Sequence, residues 1–350
     1  MNKRSEHGKS MRRAWLFPLL AAVLATLGAL VAAELGLRAF HAVRGTYHLR
    51  DEAVEARRNS IWKRSEDPVL IYVHRPDYWK EGIRYTEAHG ILRPGDVSPR
   101  KSRDSIRILL LGDSIGAGLT VSYEERFSSV LEEMLAGSVN GSAEVINLSV
   151  NGYKTVQEAR LLETVAGEFE TDLILVAYCM NDVANSFTPT VWFLDPSPPR
   201  SYLWEEISQG LGLGRVERSQ YVPVFGPHYG PHRYWHELYD PRSEGWGSVE
   251  EGFDRVALCA SQCAAPVLLV VFPFFLPDDW YQGGVEPLHR QVARAAEARG
   301  FEVLDLLPVF AEYDVDEMRD DPDDLFHPNA RGHRVAAEAV HARVLEIMGK

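Results

Sequence analysis

The chain has 350 residues, 45% hydrophobic and 25% charged, a balance that excludes intrinsic disorder and a collagen-like repeat and leaves ample material for a buried core. Asp and Glu outnumber Lys and Arg by 50 to 37, giving a net charge of −13, and phosphate backbones are bound by clustered basic residues, so nucleic acid is not an expected partner. Three cysteines are too few for a disulfide framework. Cys259 and Cys263, four apart in a helical pattern, stand too far apart to bridge, and with Cys179 they read as small packing residues.

Residues 1–13 form a basic tail, with Lys3, Arg4, Lys9, Arg12 and Arg13 against Glu6 alone. Ala14 to Ala33 then carries no charge. About 20 apolar residues rise roughly 30 Å as a helix, the thickness of a bilayer's hydrocarbon core. A transmembrane helix or signal anchor is therefore expected over 14–37, with the basic flank cytoplasmic and the rest of the chain outside. A cleaved signal peptide ending at Val31-Ala32-Ala33 is the competing reading, and it also exports the remainder.

Residues 38–104 read as a stalk with accessory strands, punctuated by Pro68, Pro76, Pro94 and Pro99, and Val69–Val73 is predicted as a short strand. From 105 to 348 the pattern becomes regular. Strands are predicted at 106–111, 145–148, 173–178, 266–272 and 303–306. Helices are predicted at 124–136, 155–169, 249–263, 285–299 and 329–348, between and after those strands. Apolar strands alternating with helices imply a three-layer α/β/α sandwich around a central parallel sheet. An aromatic-rich insertion at 183–246 interrupts the alternation and reads as a cap over a substrate cleft or a surface insertion. His228, His232 and His236 are evenly spaced within it, but Pro227, Gly230 and Pro231 break any helix that would align them, so no metal is expected; nor is any cofactor.

Ligands of open α/β sheets sit beyond the carboxyl ends of the strands, where Gly112-Asp113-Ser114 follows the first strand. A serine hydroxyl becomes a nucleophile when a histidine takes its proton and an acid orients that histidine. Asp324-Leu325-Phe326-His327 near the end of the chain supplies both. The loop Asn147–Tyr153 offers the backbone N–H of Gly152, and Asn181-Asp182 offers a side-chain amide. With the Ser114 N–H these donors would form an oxyanion hole. Asp113 and His333 read as structural groups, and Asp182 is open to substrate binding or to capping.

Together these motifs resemble those of the SGNH hydrolases, the GDSL-type esterases and lipases. Gly112-Asp113-Ser114-Ile115 resembles the nucleophile motif, Gly152 the oxyanion glycine, Asn181-Asp182 the asparagine motif, and Asp324-x-x-His327 the acid–histidine motif. His327-Pro328-Asn329-x-x-Gly332-His333 resembles the family's ending. Cys179 stands where the family often has a glycine, two residues before the asparagine. The resemblance implies a serine esterase with catalytic Ser114, Asp324 and His327, and an oxyanion hole of Ser114, Gly152 and Asn181. Its expected partners are an acyl ester of a lipid, glycan or small alcohol and, through the N-terminal helix, a cell membrane, with the catalytic domain periplasmic or extracellular. Two other readings share the scaffold: an O-acyltransferase on an envelope polysaccharide using the same serine, and a non-catalytic glycan-binding domain.

Overall fold

The computed structural model describes residues 4–43, 60–139, 141–183, 201, 203–204, 207, 237–275, 284–319, 321, 324 and 326–349. The chain divides into two compact units, one of residues 1–59 with 195–222 and one of 60–194 with 223–350. His228, His232, His236 and most of the insertion lie outside the described residues.

In the first unit, helix α1 (Arg4–Val43) carries Pro18 within it. Its stretch Pro18–Phe40 is long and apolar enough to cross a membrane, and Leu19, Leu20, Leu24, Leu27, Val31 and Leu35 are all exposed. Glu34 accepts hydrogen bonds from Arg38 Nε (2.7 Å), Ser201 Oγ (2.9 Å) and the Leu203 N–H (2.9 Å).

The second unit begins with two antiparallel hairpins, β1 (Trp62–Arg64) with β2 (Tyr72–His74) and β3 (Trp79–Lys80) with β4 (Ile83–Arg84). The strand predicted over Val69–Val73 starts three residues late. Asp67 Oδ1 accepts the N–H groups of Val69 (2.8 Å) and Leu70 (3.2 Å), and its carbonyl accepts that of Ile71 (3.0 Å). Ile71 is left at φ +64°. A short acid bonding the backbone ahead of it has outcompeted the strand, as such residues do in turns.

The sheet consists of β5 (Ile106–Gly112), β6 (Ala143–Asn147), β7 (Leu173–Cys179), β8 (Val267–Phe272) and β9 (Glu302–Asp305). All pairings are parallel, in the order β6-β5-β7-β8-β9. Every residue of β5, β7 and β8 is buried, as the continuous apolar runs require of strands covered on both faces. After β5 come α2 (Ser114–Ala117) and, past a single turn at Tyr123–Glu125, α3 (Phe127–Ser138). Further on lie α4 (Thr155–Val165), α5 (Glu244–Cys263), α6 (Glu286–Glu297), α7 (Leu307–Phe310), α8 (Val315–Met318) and α9 (Ala330–Ile347). Helix α5 packs against α4 and α6, and α9 packs against α3; the right-handed crossovers usual for parallel strands would place these two groups on opposite faces of the sheet. The predicted three-layer sandwich is thus the observed architecture. The chain steps outward from β5 to β6 and then back past β5 to β7, so the order reverses between β5 and β7. That switch point is where open α/β sheets place their ligands.

Candidate active site

Asp113 turns the chain out of β5 and caps α2, its Oδ1 accepting the Ile115 N–H at 2.9 Å. Ser114, the first residue of α2, is thereby held at the switch point. A Cβ at Gly116 would lie 2.3 Å from Ser149 Oγ, so only glycine lets this turn lie against the loop after β6. Asn147, buried at the end of β6, ties the pieces together. Its Nδ2 donates to Gly116 O (2.8 Å) and Ser128 Oγ (3.1 Å), and its Oδ1 accepts the Ser149 N–H (3.0 Å).

The three-residue spacing of Asp324 and His327 closes on itself. Asp324 Oδ1 accepts the N–H groups of Phe326 (2.9 Å) and His327 (3.0 Å), which presents Oδ2 to His327 Nδ1 at 2.6 Å. Phe326 anchors this turn by packing edge-on against Phe274. The other ring nitrogen, Nε2, stands 2.8 Å from Ser114 Oγ. With Nδ1–H donating to the carboxylate, Nε2 is an acceptor, so the serine hydroxyl donates to it. The structure therefore brings Ser114, His327 and Asp324 into one hydrogen-bonded line. Ser114 Oγ also lies 3.3 Å from Asp113 Oδ2, a longer contact.

Asp324 and Asp113 differ in charge preference. Burial works to raise the Asp324 pKa, but the His327 hydrogen bond and charge and the two backbone N–H bonds outweigh it and hold the carboxyl below the ordinary value. Asp113 is fully buried, and that desolvation pushes its pKa up despite its own backbone bonds.

Gly152 lies in a turn after β6, at φ +76°. Asn181 follows β7 in a turn closed by the Asp182 N–H on Cys179 O (2.9 Å), and Tyr239 Oη donates to the Met180 carbonyl beside it at 2.8 Å. The side-chain amide of Asn181 makes no hydrogen bond to another described residue, and its Oδ1 is buried. Cys179 ends β7 without a positive φ, so the position has no need of the family's glycine.

Asp182 is sealed from solvent and accepts Thr155 Oγ1 (3.3 Å) beside the start of α4, so no oxygen is exposed for a substrate, and no backbone N–H of α4 is capped by it. His333 is buried in α9, stacked on Phe127, with its Nδ1 accepting the Phe127 N–H at 3.3 Å. Burial and the nearby Arg126 charge pull its pKa down to about 3, so it is a neutral structural group.

Sequence reasoning passed over Glu158. Thr155, Glu158, Ala159 and Leu162 form the buried stripe of α4, and an acid at a core position of an amphipathic pattern was the available signal. Neither Glu158 oxygen has a partner among the described residues. Burial and the charge of Asp113 drive its pKa well up, and burial with the charges of Glu158 and Asp113 does the same to Asp182. Among the described residues no group of His, Cys, Asp and Glu has the arrangement to hold a metal ion.

An α/β/α sandwich with a serine–histidine–carboxylate line at the carboxyl ends of its strands is the framework of an SGNH-type carboxylic ester hydrolase. The model of the GDSL-like lipase/acylhydrolase family matches residues 110–335, and the chain belongs to that family. Several solved structures are similar to the chain at low identity. TesA is 17% identical, covers 68% of this chain and 97% of its own, and has a TM-score of 0.43. The psychrotrophic esterase EstA from Pseudoalteromonas sp. is 15% identical, with coverages of 70% and 99% and a TM-score of 0.40. Axe2, an acetyl-xylooligosaccharide esterase from Geobacillus, is 14% identical, with coverages of 68% and 94% and a TM-score of 0.41. No curated protein matches the chain.

Proposed function

We propose that the protein hydrolyses carboxylic esters by two-step acyl transfer through Ser114, and that the unbroken line from Ser114 Oγ to His327 (2.8 Å) and on to Asp324 (2.6 Å) is the observation that carries this reading. Ser114 Oγ attacks the ester carbonyl while His327 Nε2 takes its proton, and Asp324 orients the imidazole and stabilises the imidazolium that forms. The tetrahedral oxyanion is met by the N–H groups of Ser114 and Gly152 and by the Asn181 amide, each worth about 100- to 1,000-fold in rate. His327 returns the proton to the leaving alcohol. Water then enters with His327 as base, and the acid is released as Ser114 regains its proton.

The exposed apolar face of Pro18–Phe40 supports a single-pass anchor, since roughly 25 cal/mol per Å² of apolar surface favours leaving water. The basic tail before it supports a cytoplasmic N-terminus and an exported catalytic region. The substrate class is then an acyl ester of a lipid, glycan or small alcohol reached outside the cytoplasm.

The test is intact mass after fluorophosphonate treatment, with ester hydrolysis measured on wild type and Ser114→Ala. One adduct mapping to Ser114, and a loss of at least about 1,000-fold in kcat in a variant with an unchanged melting temperature, are expected. Undiminished hydrolysis by Ser114→Ala overturns the assignment to Ser114, and no adduct on folded protein that also hydrolyses no ester overturns the reading in favour of a binding role.

A further inference from the structure

The Gly152 N–H belongs to a turn whose central peptide can face either way. Tyr153 N–H donates to Val150 O at 3.0 Å, closing a four-residue turn, and Gly152 has φ +76° while Asn151 has no positive φ. That is the signature of a type II turn with glycine in its third position. Types I and II differ by a flip of the central peptide, here Asn151–Gly152, and glycine is sterically permitted in both. The flip would turn the Gly152 N–H to the opposite side of the loop. Local sequence therefore leaves open the orientation on which an oxyanion donor depends.

The carbonyl of that same peptide has an outside partner. Tyr72 Oη donates to Asn151 O at 2.8 Å. The Gly152 N–H at the other end has no acceptor among the described residues. Tyr72 is itself firmly set: it is fully buried, its ring meets that of Tyr153 edge-on at 5.3 Å, and Tyr153 Oη donates to the Tyr72 carbonyl. Just upstream, Gln157 Nε2 donates to Leu70 O (3.3 Å) and Arg160 pairs with Asp67 (2.8 Å), fastening the segment to α4. Tyr72 also precedes the residues that the family model matches, which begin at 110.

We propose that Tyr72 is a positioning residue for ester hydrolysis, its hydroxyl locking the Asn151–Gly152 peptide so that the Gly152 N–H stays directed at the developing oxyanion. The inference rests on the serine-esterase reading above. A donor on the carbonyl end of a peptide also polarises its N–H end, so the bond both aims and strengthens the Gly152 donor. The effect belongs to the transition state, where the oxyanion forms, and much less to the bound ester.

The experiment compares full-length wild type, Tyr72→Phe, Tyr153→Phe and Ser114→Ala in detergent. It measures kcat and KM on a p-nitrophenyl ester and the Ki of a boronic acid that forms a tetrahedral adduct. Tyr72→Phe is expected to lower kcat about 10-fold, less than outright loss of a donor, with KM within about 2-fold and the boronate weakened by the same factor as kcat/KM. Tyr153→Phe removes a hydroxyl that supports Tyr72 from behind without touching the Asn151–Gly152 peptide, and is expected to lower the melting temperature and to cost less in kcat than Tyr72→Phe. A Tyr72→Phe enzyme with unchanged kcat and boronate affinity, beside an inactive Ser114→Ala, overturns the role of Tyr72 and leaves the esterase reading standing. Full activity in Ser114→Ala overturns that reading instead. Should Tyr72→Phe fail to fold, difluorotyrosine at position 72 keeps the ring and is expected to lose kcat as rising pH ionises its hydroxyl; a pH–rate profile like that of wild type then overturns the proposal.

Discussion

Two aspartates flank Ser114, and the protein treats them in opposite ways. Asp324 sits in a loop, about a quarter exposed, with two backbone N–H groups and an imidazole N–H directed at its oxygens. Asp113 sits at the end of a buried strand, 1% exposed, with Glu158 and Asp182 as charged-group neighbours. The first is held ionised and the second is pushed toward its neutral form. Both carboxylates accept hydrogen bonds, Asp113 from the Ile115 N–H and the Ser114 hydroxyl, so the solvent each one loses sets the opposite directions of their shifts.

Removing the charge from each aspartate in turn separates their roles. Asp324→Asn leaves the shape but reverses the donor at His327 Nδ1, and a fall of about 1,000-fold or more in kcat is expected. Asp113→Asn keeps an oxygen for the Ile115 N–H, and its kcat is expected within about 5-fold of wild type. Steady-state kinetics on the two variants checks both; equal losses would mean that Asp113 shares the role proposed for Asp324.

The acids buried near Asp113 also affect stability. A carboxyl whose folded pKa is raised keeps its proton where the unfolded chain has lost it. Its contribution is therefore present below the ordinary carboxyl range and is lost as pH rises toward the folded value. Glu158 and Asp182 follow this sign. Glu158→Gln removes the ionisable group while retaining size and polarity. It is expected to raise stability at pH 7 by about 1–2 kcal/mol, to flatten its decline above neutrality, and to leave kcat within about 2-fold. Urea denaturation at pH 6, 7 and 9 reads this directly, and a lower midpoint at every pH would show instead that the glutamate is a needed hydrogen-bonding group.

A stability effect of the opposite sign belongs to the buried histidines. Burial pulls His74 down to about 4, and burial with Arg126 pulls His333 down to about 3. Both stay neutral in the folded protein while the unfolded chain protonates near 6.5, so their contribution is complete above that pH and falls away as pH drops toward 4. The slope is roughly 1.4 kcal/mol per pH unit for each. The paired variant His74→Gln, His333→Gln is expected to show a shallower loss of stability between pH 6 and 4.5 than wild type. An identical slope would mean that carboxylates alone govern acid unfolding.

Much of the frame was legible in the residue pattern. The runs at Ile106–Leu111 and Leu173–Tyr178 could bury both faces only as central parallel strands, and β5 and β7 are those strands. The spacing of Asp324 and His327 closes its own turn by local hydrogen bonds, so its geometry follows from four consecutive residues. Asn329 likewise caps α9 through the Gly332 N–H, as an N-cap three residues ahead of its partner should. Local signals failed where two of them competed, as at Ile71, where the bonds made by Asp67 displaced a strand that the β-branched residues favoured.

What the sequence determined by itself is what neighbours along the chain decide: strand and helix periods, caps, and the identity of the groups carried to the rim. Tertiary structure decided which distant groups meet there. Tyr72 reaches Asn151 across 79 residues, Asn147 reaches Gly116 across 31, and Ser114 reaches His327 across 213. It also decided that Glu158 and Asp182 would share a dry interior while Asp324 kept its donors and its water. Such pairings depend on how the layers pack and on how much solvent each group loses, and neither quantity is a property of any short stretch of chain.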